Sequence, residues 1–173
     1  LRALGCMAES QGTMNNVIIG GQRHDGSQFS YYETLAGGSG AGPNFDGQNA
    51  IHSHMTNSRI TDAEILEWKY PFRLLASAIR PHSGGQGRYR GGNGLIRRYQ
   101  FDQSCQLSLI TSRRNTAPRG LAGGANGLPG ANHLFTKDGL TKDLGSAGDF
   151  FVHEGDILEI QTPGGGAYQR EGS

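Results

Sequence analysis

Glycine sets the terms on which this chain can fold. It occupies 29 of 173 positions, more than twice the ordinary share of about 7%. Much of it is clustered, as in AGGSGAGPNFDG at residues 36–47 and GGQGRYRGGNG at residues 84–94. A residue without a Cβ loses the most backbone freedom on ordering, so such clusters are poor interiors for helices and strands. No Gly-X-Y period runs through them, which excludes a collagen helix. Between the clusters, apolar and polar residues alternate as half-buried strands require. The composition therefore predicts a mainly β chain of the α+β class, with glycine punctuating sandwich or barrel-like β packing. A length of 173 residues supports one core, so residues 1–173 read as a single domain, with 1–70 and 71–173 as a possible subdivision.

Local patterns place the elements. Residues 13–19 lead through Gly20-Gly21 to the Asp25-Gly26 turn signal, and residues 27–34 return as the second arm of a hairpin. Further strands are predicted over 72–80, 94–101, 106–112 and 157–161, each with β-branched or aromatic content between turn residues. In the last, Leu158 and Ile160 share one face, with Ile157, Glu159 and Gln161 on the other. One helix is expected near residues 61–70. Thr61 and Glu64 have capping-box spacing, Ile65 and Trp68 fall on one face, and Pro71 stops the helix.

Charge is unevenly spread. Residues 1–70 carry a net −3, residues 71–119 a net +8 and residues 120–173 a net −4. All nine basic groups of the middle part are arginines, whose planar fork favours fixed contacts with carboxylate or phosphate. A glycine-arginine tract with an interleaved tyrosine can bind RNA, but a single copy between strands reads better as tight turns, with Arg88 and Arg90 paired to acids or docked on a partner. No nucleic-acid partner is expected. Neither the Gly-Lys of a phosphate loop nor G-x-G-x-x-G occurs. Cys6 and Cys105 form no C-x-x-C or disulfide framework; they read as buried thiols in a cytoplasmic protein. No apolar run is long enough for a membrane helix, and the start at Leu1-Arg2 without Met points to a piece of a longer polypeptide.

The densest chemistry lies in the run IHSHMTNSRITDAEILEWKY at residues 51–70. In an extended segment, His52 and His54 would project from one face and could grip one metal ion, with Asp46 or Asp62 as a third ligand. The plainer alternative is two histidines hydrogen-bonded to the glycine loop or to a carboxylate. Thr56, Asn57, Ser58 and Arg59 then offer hydroxyl, amide and guanidinium groups beside a helix start, where an anionic substrate group could be held. Their plainer role is a turn, with Arg59 paired to Glu64 or another acid.

Together with SQGTMNN at residues 10–16, SGGQGRYRGG at residues 83–92 and the closing TPGGG at residues 162–166, this run resembles the C-terminal part of the hydantoinase B/oxoprolinase family. The resemblance implies the end of the B-type half of an ATP-dependent enzyme that opens 5-oxoproline to glutamate or acts on hydantoins. It further implies an oligomeric assembly with an A-type half, which binds ATP, and with the N-terminal remainder of the B-type half. Any divalent metal would have its ligands upstream, in an N-D-P-Y segment followed by H-x-x-D; this chain has no N-D-P-Y. By this reading the segment is inactive alone, and His52, His54, Asn57 and Arg59 lie nearest the substrate. Rival readings are a subunit-docking module centred on Arg88 and Arg90, an isolated metal-binding β protein held by His52 and His54, and a relative of acetone carboxylase.

Overall fold

Alternation produces strands where the sequence predicts them, with ends that differ from the predicted ones by at most three residues. The computed structural model describes residues 4–12, 14–54 and 56–172; Thr13 and Met55, which belong to two of the motifs, lie outside them. The hairpin forms from β1 (Asn15–Gln22) and β2 (Gln28–Thr34), paired from Asn16↔Thr34 to Gln22↔Gln28. Its turn is residues 23–26, where Gly26 has φ +85°. Gly20 and Gly21 belong to β1 itself rather than to the turn. The chain continues through β3 (Phe72–Ile79), β4 (Leu95–Phe101), β5 (Cys105–Thr111), β6 (Ala131–Phe135), β7 (Thr141–Asp143), β8 (Ala147–Val152) and β9 (Ile157–Gln161). β6, β7 and β8 were not foreseen from sequence.

Two antiparallel sheets result, one ordered β2-β1-β5-β8 and the other β3-β4-β9-β6-β7. Their inward faces share one core. Val17, Ile19, Leu107 and Leu109 come from the first sheet, and Tyr99, Phe101, Leu158 and Ile160 from the second. An aromatic cluster joins them: the Tyr31 ring lies 5.3 Å from that of Phe72 and 6.4 Å from that of Tyr99, in edge-to-face arrangements that add about 0.5–1.5 kcal/mol per pair beyond burial.

The helix α1 (Ala63–Lys69) starts one residue later than the capping box predicts. Asp62 is the N-cap, its Oδ1 accepting from the Glu64 amide at 2.9 Å. The Thr61 amide is instead taken by Glu33. Leu66 is the residue α1 buries, while Ile65 and Trp68 are exposed. Cys105 is buried, and burial pushes its thiol pKa up to about 12. Cys6, expected inside, is exposed.

The glycine clusters pack against each other instead of serving only as turns. Amides of residues 164 to 168 donate in succession to carbonyls of Leu128, Gly92, Glu9, Ala125 and Tyr89, returning to the same neighbouring segment at every third residue. That is the repeat of a polyproline-II-like strand, which makes no hydrogen bonds within itself. A Cβ on Gly164, Gly165 or Gly166 would stand 1.9, 1.9 and 2.2 Å from the carbonyl oxygens of Ser83, Ser39 and Arg119 respectively. Only glycine permits this spacing. The loop at residues 36–47 is ordered by the same network: Gly38 donates to Pro163 and Ala41 to Gly166, while Asn44 accepts from the Tyr89 hydroxyl and Asp46 from the Arg90 amide.

Candidate functional site around His52

Folding engages three of the four sequence motifs. In the first, Ser10 Oγ accepts from the Gly40 amide, Gln11 accepts from Asn15, and Asn16 accepts from Thr34. Asn15 also accepts from Arg114, which reaches Asn132 at 2.7 Å and so ties β1 to β6. The glycine tract and the closing TPGGG form the bundle, and Thr162 donates to Ala36 while accepting from the Leu95 amide. Residues 52–60 are different. Asn57, Ser58, Arg59 and Ile60 are exposed, and bonds at residues 50, 51 and 61 tie the two ends of the segment down.

At its entry, Ala50 donates to Asn93 and Ile51 to Gly37, both at 2.8 Å. At its exit, Thr61 is gripped twice. Its amide donates to Glu33 Oε1 at 2.5 Å, and its carbonyl accepts from Arg97 Nη2 at 3.2 Å. Glu33 lies on β2 of one sheet and Arg97 on β4 of the other, 3.5 Å apart and both buried. Tyr31 donates to Glu33 at 2.5 Å and Tyr99 at 3.4 Å. Burial raises both phenol pKa values, so both remain donors. Glu33 and Arg97 were missed from sequence. Their signal was available, since each falls in the inward register of its strand, Glu33 after Phe29 and Tyr31, and Arg97 between Leu95 and Tyr99.

Between these anchors His52 and Ser58 meet, with Nε2 of His52 3.4 Å from Ser58 Oγ. The two side by side line a pocket of about 270 Å³ with Ala36, Ala50, Ile60, Ser77 and Leu95. The imidazole is half-buried. Burial lowers its pKa against the opposing charge of Glu33, which favours the neutral ring. Its Nδ1 is buried and has no hydrogen-bond partner among the described residues.

His54 does not join His52. It adopts φ +61°, so the extended geometry that would put both rings on one face is broken, and it lines a separate pocket with Glu9, Ser10, Gly12 and Arg113. There Glu9 pairs with Arg113 at 2.9 Å. Asp46 and Asp62 are occupied by the Arg90 and Glu64 amides. Among the described residues no group of three or more His, Cys, Asp or Glu side chains is arranged to hold a metal ion. Arg59 takes no part in the ion pairs of the described residues, which use Arg73, Arg97, Arg98 and Arg113. Arg88 and Arg90 are exposed on either side of half-buried Tyr89. The Arg88 guanidinium lies 5.7 Å from the Tyr89 ring centroid.

The chain is 46% identical over 168 residues to 5-oxoprolinase 1 of Arabidopsis thaliana, covering 97% of this chain but 13% of that protein. The chain thus spans a small part of that relative's length. Its fold is similar to that of the ATP-dependent caprolactamase of Pseudomonas jessenii, with a TM-score of 0.78 and 22% identity over 95% of this chain and 30% of that one. It is also similar to nucleotide-free acetone carboxylase, with a TM-score of 0.75 and 18% identity over 92% of this chain and 26% of that one. The hydantoinase B/oxoprolinase family model matches residues 1–171, and the chain belongs to that family.

Proposed function

We propose that these 173 residues are the C-terminal portion of an ATP-dependent cyclic-amide hydrolase, opening 5-oxoproline or a hydantoin ring and inactive alone. One observation carries the site assignment. In this block Asn57, Ser58 and Arg59 are exposed, and His52 and Ser58 line a pocket with a neutral histidine at its wall. His52, with Asn57 and Arg59 nearby in the chain, then faces substrate, and His54 borders a second, separate pocket. ATP and any divalent metal belong to the rest of the assembly, namely the A-type half and the N-terminal remainder of the B-type half. His52 and His54 line different pockets. Arg88 and Arg90, exposed on an ordered backbone, serve as docking contacts for a partner. Among the described residues no helix is long and apolar enough to cross a membrane; two unpaired cysteines suit the cytoplasm.

The test is the full-length enzyme with alanine at His52, His54, Asn57 and Arg59. Ring opening should fall by at least about 100-fold, the scale of a lost proton-transfer group, while the assembly persists. Unchanged ring opening and unchanged coupling to ATP hydrolysis would refute the assignment.

A further inference from the structure

A cyclic amide differs from the peptide bonds around it in one geometric respect. Linear secondary amides are trans, so N–H and C=O point to opposite sides. A small ring forces the amide cis and sets N–H and C=O side by side on one edge. A receptor for that edge needs an acceptor and a donor next to each other on one wall. A trans amide cannot satisfy both at once.

The pocket beside His52 has this wall. Nε2 of His52 and Oγ of Ser58 are 3.4 Å apart and both line it. A neutral imidazole nitrogen offers one donor or one acceptor according to its tautomer, and a hydroxyl rotates to supply the other. Burial favours the neutral imidazole. Ala36, Ala50, Ile60 and Leu95 supply apolar surface around the pair, with Leu95 and Ala36 buried at the floor and Ile60 exposed at the rim. At about 270 Å³, the space falls just below the roughly 300–1,000 Å³ of ordinary ligand pockets. That suits a single small ring.

We infer that this pocket binds the cis edge of a small cyclic amide, with His52 and Ser58 reading its N–H and C=O and the four apolar residues enclosing its ring carbons. The inference rests on the hydrolase reading above and adds how rings are selected over linear amides. Ser58, which the sequence offers only as one member of a polar run beside the helix start, becomes a specificity-determining residue.

Three small probes test it on the full-length enzyme by calorimetry or saturation-transfer NMR: 2-pyrrolidinone, its N-methyl derivative, which lacks the N–H, and the trans amide N-methylacetamide. Losing one of two paired hydrogen bonds should cost about tenfold in affinity. 2-Pyrrolidinone should therefore bind about tenfold more tightly than either other probe. Ser58→Ala and His52→Phe should each erase that preference, and Ser58→Thr, which keeps the hydroxyl, should retain it. Equal affinity for the three probes, or a preference that survives Ser58→Ala and His52→Phe, overturns the inference. The two readings fail separately. Ring opening in the wild type with no probe discrimination sinks the pocket and leaves the hydrolase. Probe discrimination lost on Ser58→Ala, in an enzyme that opens no ring, sinks the hydrolase and leaves the pocket.

Discussion

Replacing Gly165 with alanine tests whether the glycine segments bear on each other as directly as their spacing implies. The new Cβ would stand 1.9 Å from the Ser39 carbonyl oxygen and 2.3 Å from its carbon, both main-chain atoms. An ordinary C···O contact is about 3.3 Å, so the two segments must part by roughly 1.4 Å. Gly165 donates to Gly92 at 2.8 Å and accepts from Gly85 at 2.9 Å, and Gly92 donates to Ser39 at 2.9 Å. Parting these segments strains three backbone bonds in a buried bundle. Each is worth about 1 kcal/mol net, and more where a donor is left buried and unpaired. We expect a loss of at least about 3 kcal/mol, a large fraction of the 5–15 kcal/mol typical of a domain. Urea unfolding of the 173-residue chain followed by near-ultraviolet circular dichroism measures it, with Gly20→Ala as the control. A Cβ at Gly20 meets only the Phe29 carbonyl oxygen, at 3.4 Å, and should change stability by less than about 1 kcal/mol. A Gly165→Ala cost below about 1 kcal/mol, or one equal to the control, would show that the bundle yields easily and that its glycines are not sterically required.

Two further outcomes follow from the same geometry. Glu33→Gln keeps an oxygen for the Thr61 amide but leaves Arg97, 1% exposed, without its counter-charge, so unfolding should show a loss of about 3–5 kcal/mol. Combining Glu33→Leu with Arg97→Met should recover much of that loss and yet raise amide hydrogen exchange through residues 52–61, because Thr61 is then unheld. Charge reversal of Arg88 and Arg90 to Glu should weaken assembly of the full-length enzyme, read by size-exclusion chromatography, while 2-pyrrolidinone binding is kept; undisturbed assembly removes the docking role.

Much of the fold was legible because it rests on local alternation. β9 runs over the predicted residues, and Leu158 and Ile160 point inward as its pattern requires. β7 and β8 escaped because each lies at the edge of a sheet, where burial leaves little pattern: all three residues of β7 are exposed, and β8 buries only Val152. The capping box failed for a different reason. Thr61 has the right neighbour in Glu64, but its amide is claimed by Glu33, 28 residues away, and local rules cannot see that competitor. His54 failed through backbone conformation, since its positive φ turns the segment between the two histidines. The glycines were legible as punctuation between strands. What composition could not reveal is that they order one another, because that depends on which segments meet.

The Glu33–Arg97 pair is best understood through what it holds. A buried ion pair is a poor device for stability alone, since well-packed apolar residues of similar volume often do as well or better. Here the surrounding core could have accepted such a replacement, with Tyr31, Phe72 and Tyr99 already packed against one another. Apolar side chains could not, however, bind the Thr61 peptide by both its N–H and its C=O, as the carboxylate and guanidinium do. The pair is therefore placed where the two sheets meet the segment that ends at Thr61, and its cost fixes the exit of residues 52–60 relative to the core. With the entry fixed by Gly37 and Asn93, His52 and Ser58 lie between two anchored ends. A site that must present a donor and an acceptor side by side needs that confinement. On the reading proposed above, the anchors at Ala50, Ile51 and Thr61 supply it for His52 and Ser58.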